Sequence, residues 1–305
     1  MPECSSMTAS EQIPYMTPTF EAGVEAGVVY AEKDGYWSQG SSAGPQLSQV
    51  ALMRRPLALK MDIYYPEGDN SESRPLLLMM HGGSFLFGNR EEAGQVAWCR
   101  HFASLGYVAA SIDYRLGFWP SQHGLLQAER DALDDADSAL ACLLGRSDLR
   151  IDPTRVFAAG TSAGAILALG LAYVLYGKCP PKGFQPRLGA DFRIRAVGDL
   201  WGYVRDLTVL ENAHVPILAF QSEQDPVVPF DHGSPMQASL VLDAVYGTRA
   251  TCERASALGI RCVLHSCPEK RHRLHLDKEG RLTPRYYEIR DALTSFFAEE
   301  MGNQP

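Results

Sequence analysis

The chain has 305 residues, of which 46% are hydrophobic and 10% aromatic, and this composition can supply a large buried core. Its 28 basic and 36 acidic residues give a net charge of −8, and the basic residues are scattered, which argues against nucleic acid and anionic membranes as partners. No apolar run approaches the roughly 18–20 residues of a membrane-spanning helix, so no membrane span is predicted.

The N-terminal part of the chain differs in composition from the rest. Residues 1–20 are polar and interrupted by prolines, and residues 38–49 are rich in Ser, Gly and Gln, which indicates an arm and a loop on either side of a short strand at 27–31. We therefore expect residues 1–50 to form an N-terminal extension packed on one larger domain at residues 51–305. The start lacks the basic and apolar regions of a signal peptide, which favours a cytoplasmic location and leaves secretion open if a leader has been removed.

Seven cysteines, an odd number, are spread along the chain without a C-x-x-C pair or a Cys/His cluster of zinc-finger spacing. This pattern predicts reduced thiols and no metal site. Cys262 and Cys267 flank a predicted strand, so a bridge between them is the alternative.

Strand-like and helix-like segments alternate from residue 57 onwards, which predicts a mostly parallel, doubly wound sheet with helices on both faces. A Pro- and Gly-rich piece at 177–193 interrupts this alternation and is predicted to be a short lid-like insertion. The predicted strands lie at 57–65, 76–80, 107–112, 156–159, 194–200, 217–221 and 261–266, and the predicted helices at 93–105, 124–144, 166–176, 236–246, 249–258 and 284–301.

The pentapeptide Gly160-Thr161-Ser162-Ala163-Gly164 lies between a strand-like run and a helix-prone run. That context is typical of a nucleophile elbow. Such a sharp turn forces the serine towards positive φ and leaves no room for side chains two residues away, a requirement that the two glycines meet. The pattern predicts that Ser162 is a nucleophile, and a chance turn of small residues is the alternative.

A serine nucleophile needs N–H donors where negative charge develops on the substrate oxygen. The His-Gly-Gly-Ser sequence at 81–84 follows a predicted strand, and its glycines allow the backbone to expose its amides. We predict that the N–H groups of Gly83, Ser84 and Ala163, the residue after the nucleophile, form an oxyanion hole. His81 is predicted to brace this loop rather than to act as a base.

The serine also needs a base, and the base needs an acidic group to orient it. Asp225 lies in the loop that directly leaves the strand at 217–221, and an open sheet places its active site at the carboxyl ends of its strands. Asp225 is therefore the predicted acid. Asp199, which ends the preceding strand, is the alternative.

Three motifs in this order, His-Gly-Gly, Gly-x-Ser-x-Gly and Asp225-Pro226-Val227-Val228-Pro229, resemble the α/β-hydrolase superfamily, and most closely its carboxylesterase branch with feruloyl- and acetylxylan-type esterases. The resemblance covers about residues 60–297. It implies an eight-stranded sheet, ester hydrolysis by a Ser-Asp-His triad, and no metal or cofactor. The chain departs from the family at Glu269-Lys270-Arg271, where relatives often carry glycines, and at Ser84, the fourth position of an HGGG motif.

In this fold the triad residues follow the order Ser, acid, His along the chain. Of the histidines after the acid, His232 shares its loop and His265 lies within a strand. His272 and His275 remain, both in the loop after the last predicted strand. The family's usual spacing of a strand, a proline, three residues and a histidine selects His272, counted from Pro268, and His275 is the alternative.

Four aromatic residues near strand ends or active loops are predicted to line the substrate pocket, and they favour an apolar or aromatic ester: Phe85, Phe87, Trp119 and Trp201. The hypothesis is a serine esterase that hydrolyses small or aryl carboxylic esters, including acyl groups linked to plant polysaccharides. The alternative is a serine peptidase or amidase on the same fold, and a binding protein that has lost catalysis is a third reading.

Overall fold

One eight-stranded sheet organises the molecule. The structure, a computed structural model, describes residues 14–39, 53–178, 184–238 and 242–302. In that part of the chain the strands are β1 (Ala22–Gly35), β2 (Arg55–Pro66), β3 (Arg74–Met80), β4 (Val108–Ile112), β5 (Ile151–Thr161), β6 (Ala196–Leu200), β7 (Tyr203–Val204), β8 (Ile217–Ser222), β9 (His232–Gly233), β10 (Val245–Gly247) and β11 (Cys262–Cys267). The α-helices are α1 (Ala93–Ser104), α2 (Gln122–Leu144), α3 (Ala163–Leu169), α4 (Thr248–Ala257) and α5 (Pro284–Gly302). A π-helix follows α3 at Gly170–Leu175, and 3-10 turns lie at Ser147–Leu149, Leu207–Asn212 and Pro235–Gln237.

The strands of the main sheet have the order β1-β2-β4-β3-β5-β6-β8-β11. Neighbours from β4 to β11 are parallel, whereas β1 with β2 and β2 with β4 are antiparallel. Every residue of β3, β4, β6 and β8 is buried, as expected of parallel strands covered on both faces. The predicted α/β fold with a mostly parallel, eight-stranded sheet is confirmed.

Helices cover both faces of this sheet. α1 and α5 pack on one face around a core that includes Trp98, Phe102 and Phe297. α2, α3 and α4 pack on the other face, where Leu140, Leu167 and Ala255 are buried. None of the helices in the described ranges is long and apolar enough to cross a membrane.

The N-terminal extension contributes a strand to the sheet. The predicted strand at 27–31 is the middle of the 14-residue strand β1, which pairs antiparallel with β2 and shifts register at two places between residues 25 and 31. Tyr15 packs edge-on against Tyr107, with ring centroids 5.5 Å apart. Residues 1–13 and 40–50 lie outside the described ranges, so the division of the chain at residue 50 stays a prediction.

The predicted helix at 236–246 is wrong. Met236 and Gln237 have φ values of 53° and 56°, which an α-helix does not allow, and Val245–Gly247 forms β10 instead. β10 pairs with β7 and β9 in a small second sheet. Hydrophobic periodicity could not distinguish this irregular segment from a helix, because the pairing partners of β10 are distant in the sequence.

The prediction of reduced thiols is wrong for one pair of cysteines. Cys252 on α4 and Cys262 at the start of β11 form a disulfide, with Cα atoms 5.4 Å apart. The two cysteines lie on either side of the turn that connects α4 to β11. The sequence does not show that this turn brings them together. Cys267, considered as a partner of Cys262, is a buried free thiol, as is Cys99.

A buried ion cluster ties the loop after β3 to two strands. Arg90 Nε lies 2.8 Å from Asp62 Oδ1 on β2, and its Nη1 lies 2.6 Å from Asp113 Oδ2, directly after β4. The backbone N–H of Arg90 also donates to Asp113 Oδ1 at 2.8 Å. All three side chains are less than a tenth exposed. Because two carboxylates share one buried cation, removal of that cation leaves both uncompensated.

We expect Arg90→Met to lower the free energy of unfolding by about 3–5 kcal/mol, because it breaks a buried charge cluster from one side. The matched control is Arg281→Met, which removes an exposed arginine paired with Asp277 and Glu279 and should cost at most about 1 kcal/mol. Urea denaturation of both variants measures the difference. Equal losses for the two variants would contradict a structural role of the cluster.

Candidate active site

Ser162 occupies the sharp turn between β5 and α3. Its φ of 53° lies in the left-handed region, and its N–H donates to the carbonyl of Leu200 at 2.8 Å. A Cβ at Gly164 would lie 2.0 Å from the carbonyl oxygen of Met80, and one at Gly160 would lie 2.7 Å from the same atom. Only glycine fits at either position, so the turn has the geometry expected of a nucleophile elbow.

Three predicted site residues form a continuous hydrogen-bonded chain. His272 Nε2 lies 2.8 Å from Ser162 Oγ, and His272 Nδ1 lies 2.7 Å from Asp225 Oδ2. The other carboxylate oxygen, Oδ1, accepts the N–H groups of Val227 at 2.8 Å and Val228 at 3.1 Å. The Asp225 side chain is fully buried. Each oxygen of this carboxylate therefore has a different partner, which fixes its orientation towards the imidazole.

The loop after β3 lies against the elbow. Gly83 has a φ of 119°, and its carbonyl accepts the N–H groups of Leu86 and Phe87, both at 2.9 Å, so the chain turns back on itself. Within the described residues, no hydrogen bond is donated by the backbone N–H of Gly83 or Ser84, or by that of Ala163 at the start of α3. Gly83 and Ser84 border the same cavity as Ser162, and Ala163 directly follows Ser162 in the chain.

His81 braces this loop, as predicted. It is fully buried, its Nδ1 lies 2.7 Å from the carbonyl oxygen of Gly82, and its ring stacks on Tyr114 at 4.3 Å. Tyr114 Oη donates to the His81 carbonyl at 2.7 Å. Burial lowers the pKa of His81, which keeps the ring neutral.

A cavity of about 620 Å³ opens beside Ser162 and His272. Part of its lining is apolar or aromatic and part is charged. The apolar part consists of Phe87, Trp201, Val227, Met236 and Leu276, and the charged part of Glu91, Glu92, Arg273, Lys278 and Glu279. Met236 and the charged residues were not predicted as site residues, because they belong to no motif. Val227 lies in the motif at 225–229, but only Asp225 was selected from it. For Arg273 and Leu276, proximity to His272 in the sequence was the available signal.

Two of the four predicted pocket aromatics line the cavity and two do not. Phe87 and Trp201 are in its wall, and Trp201 packs edge-on against His272 at 6.4 Å. Phe85 is instead 1% exposed and packs in the main core near Tyr114. Trp119 is 62% exposed and does not contact the cavity. The prediction for Phe85 and Trp119 is corrected accordingly, since position next to an active loop does not determine on which side a ring packs.

His275, the alternative base, lies in an aromatic stack at the edge of this cavity and makes no hydrogen bond to Ser162. Its ring is between Trp98 at 5.0 Å and Trp201 at 5.3 Å, and neither ring nitrogen has a hydrogen-bond partner among the described residues. Burial lowers the pKa of His275 to about 3, and the nearby charges of Arg273 and His272 act in the same direction. The ring therefore stays neutral.

Asp199, the alternative acid, also lies away from the histidine. Its Oδ1 accepts the N–H of Gly202 at 2.7 Å, and its Oδ2 lies 3.3 Å from Thr248 Oγ1. Burial raises the pKa of Asp199 to about 6, although both hydrogen bonds act in the opposite direction. Asp199 thus holds the turn that carries Trp201 into the cavity wall.

Residues 184–193, the larger described part of the predicted insertion at 177–193, pack against α2 rather than over Ser162. Arg187 Nη1 lies 2.7 Å from Asp134 Oδ1 and 2.8 Å from Asp137 Oδ2. Phe192 packs edge-on against Tyr176 at 4.7 Å. Of the described residues that line the cavity at Ser162, none comes from this segment.

Residues 61–213 match the BD-FAE family, an esterase-type α/β-hydrolase domain, and this stretch is just over half of the chain. The chain belongs to the BD-FAE family. The matched region includes the loop after β3 and the elbow at Ser162, and it ends before Asp225 and His272. The BD-FAE assignment therefore covers Ser162 and the loop after β3, but not Asp225 or His272.

Curated relatives of this BD-FAE member are much larger proteins. The chain is 36% identical over 131 residues to the non-reducing polyketide synthase pkbA of Emericella nidulans, and 34% identical over 151 residues to the methylphloroacetophenone synthase of Cladonia uncialis. The matches cover 41% and 47% of this chain but only 5% and 6% of those proteins. The chain thus corresponds to a small part of each.

Solved structures share the fold over most of the chain. Esterase 2 of Thermogutta terrifontis, phosphorylated by paraoxon, is 21% identical, covers 92% of this chain and 95% of its own, and has a TM-score of 0.61. Its propionate-bound form covers 82% and 92%, with a TM-score of 0.60. At this level of identity the likeness establishes the α/β-hydrolase fold.

We expect Asp199→Asn to change how the stability of the protein depends on pH. A carboxyl whose pKa is raised on folding stabilises the native state below its unfolded pKa and loses that contribution as the pH rises through the folded value. Between pH 4 and pH 7, the free energy of unfolding of the parent should therefore fall by about 3 kcal/mol relative to that of the Asn variant, because the Asn side chain cannot ionise.

Urea denaturation of both proteins at four pH values across this window measures the change. Asp206→Asn is the control, because that exposed carboxylate caps a 3-10 turn and has a lowered pKa. If the free energies of unfolding of the parent and of Asp199→Asn differed by the same amount from pH 4 to pH 7, titration of Asp199 in this range would be excluded.

Proposed function

We propose that this BD-FAE member is a serine carboxylic-ester hydrolase that acts through an acyl-enzyme on Ser162. The observation that carries the proposal is the hydrogen-bonded chain from Ser162 Oγ to His272 Nε2 at 2.8 Å and from His272 Nδ1 to Asp225 Oδ2 at 2.7 Å. The serine in this chain borders an open cavity, so that a substrate can reach it.

In the first half of the reaction, Ser162 Oγ attacks the carbonyl carbon of the ester while His272 Nε2 takes the hydroxyl proton. Asp225 accepts the Nδ1–H of the imidazole, which selects the tautomer with a free lone pair on Nε2 and stabilises the imidazolium that forms. The fixed position of the carboxylate, held by two backbone amides, supports this role.

The negative charge that develops on the substrate oxygen needs donors already in position. The backbone N–H groups of Gly83, Ser84 and Ala163 are suitable, because they adjoin Ser162 and donate to no other described group. Preorganised amides cost little reorganisation when the charge appears, and removal of one oxyanion-hole donor from a serine protease of a different fold lowers kcat by about 10²–10³-fold.

Collapse of the tetrahedral intermediate breaks the bond to the alcohol oxygen, which leaves with the proton held by His272. In the second half, water attacks the acyl carbon and gives a proton to His272 Nε2. The acid product then departs as Ser162 recovers its proton. Neither half of the proposed reaction requires a metal or cofactor.

The cavity lining favours a small or aryl acyl group joined to a polar alcohol, because rings and aliphatic side chains share the lining with several charged groups. Acyl groups on plant polysaccharides fit this description. The polyketide synthases among the relatives suggest a second candidate class, aryl acyl groups of polyketide origin. Initial rates on methyl ferulate, acetylated xylan and p-nitrophenyl esters of rising length would rank these classes.

The first functional prediction concerns Ser162. The parent should hydrolyse p-nitrophenyl acetate and leave peptide p-nitroanilides intact, and Ser162→Ala should lower kcat by about 10⁶-fold because no covalent intermediate can form. If the parent hydrolysed the peptide p-nitroanilides rapidly and did not hydrolyse p-nitrophenyl acetate, the protein would be a peptidase or amidase instead.

The control for this variant is Ser266→Ala, which removes an exposed serine hydroxyl outside the cavity and should leave activity unchanged. Circular dichroism checks that both variants fold. If a fluorophosphonate probe labelled Ser162→Ala as strongly as the parent, another residue would be the nucleophile.

A second prediction separates the two candidate bases. His272→Ala should lower kcat by about 10⁴-fold or more, because the serine loses its proton acceptor. His275→Phe should retain kcat within a few fold, since a phenyl ring can replace the neutral imidazole between Trp98 and Trp201. The opposite ranking on p-nitrophenyl acetate would assign the base to His275.

A further inference from the structure

A second cavity, of about 450 Å³, lies between α2, α3, the π-helix and β7. Its volume is within the range of roughly 300–1,000 Å³ that small-molecule sites occupy. Its apolar lining consists of Leu126, Leu133, Ile166, Val174, Phe184 and Val209, among others. No described residue lines both this cavity and the one at Ser162.

An apolar wall separates the two cavities. Tyr203, Val228 and Val245 form a small buried cluster on which Ile166 and Val227 also pack. Ile166 faces the second cavity and Val227 faces the cavity at Ser162. The second cavity is therefore a compartment of its own and not an extension of the proposed active site.

Four Asp, Glu and Arg side chains line this cavity, and two of them, Arg130 and Asp206, have no ion-pair partner in the described ranges. Glu129 is neutralised by Arg205, with Oε2 to Nε at 2.7 Å and Oε1 to Nη2 at 2.6 Å, and it also accepts Tyr203 Oη at 2.6 Å. Arg130, by contrast, has no ion-pair partner in the described ranges. Its guanidinium lies over the ring of Phe184, 5.4 Å from the centroid, and is exposed. The apolar space thus has one exposed guanidinium at its rim that pairs with no described carboxylate, while the Asp206 carboxylate accepts the N–H of Thr208 at 2.8 Å.

The backbone beside the cavity is unusual. Gly170 and Val174 belong both to the lining and to the π-helix Gly170–Leu175. π-Helical turns are rare and occur often at functional sites. Here the π-helix packs closely on α2 at one point, since a Cβ at Gly170 would lie 3.2 Å from Leu133 Cδ1.

We propose that this second cavity binds an amphipathic carboxylate, with the apolar chain among the aliphatic side chains and the carboxylate at Arg130. The apolar lining favours a hydrocarbon chain, and the single unpaired guanidinium supplies a partner for one anionic group. The site goes beyond the proposed esterase activity, because none of its residues belongs to the catalytic cavity.

Calorimetric titration with octanoate and with octan-1-ol tests the site without any measurement of activity. The two probes have the same chain and differ in charge. Arg130→Gln should raise the Kd of octanoate by up to about fivefold, as expected for an exposed ion pair, and leave that of octan-1-ol unchanged. The matched control, Arg100→Gln, removes another exposed arginine that lies over an aromatic ring, Tyr64, and should change neither Kd.

Leu126→Glu tests the apolar part of the site. The new carboxylate would lie four residues before Arg130 on α2, where it would pair with that guanidinium and place a charge in the lining, so octanoate binding should weaken by about tenfold or more. The proposal is overturned if the parent does not bind octanoate, or if Arg130→Gln and Arg100→Gln have the same effect on it. Either result would leave the proposed esterase untouched.

Discussion

The close approach of three backbones at the elbow is the constraint on which the rest of the site depends. β3 and α3 meet so tightly at Gly164 that the carbonyl of Met80 occupies the space of a side chain. This contact puts the residues that follow β3 directly beside Ser162. The loop after β3 and the turn that carries Ser162 are therefore brought together by packing of the sheet itself, before any side chain of the candidate site takes part.

Much of this site was readable from the sequence, because its parts depend on local backbone rules. The glycines around Ser162 and in the loop at 81–84 indicate turns whose backbone conformations few other residues can adopt. Asp225 follows a buried strand, and the carboxyl ends of parallel strands converge at one edge. His272 was harder, since no backbone rule distinguishes it from His275; only the family's spacing selected it, and the two rings lie in very different surroundings.

The packing of side chains that are distant in the sequence could not be predicted from local backbone rules. Phe85 and Phe87 differ by two residues, yet one is in the core and the other in the cavity, because φ values of 55° and 59° at Ser84 and Phe85 turn the chain between them. The segment at 236–246 and the disulfide of Cys252 depend on neighbours brought near by the fold. In these cases tertiary contacts override the local pattern.

The irregular register of β1 bears on association between molecules. An edge strand offers unpaired backbone groups to any second chain, and this is the usual route to edge-to-edge aggregation. β1 is the outermost strand of the main sheet, and it carries exposed Val24 and Val29. The two bulges strengthen the local twist where these valines lie, and a twisted, kinked edge is a poor template for another strand. The bulged strand β1 thus disfavours edge-to-edge pairing of the main sheet with the sheet of a second molecule.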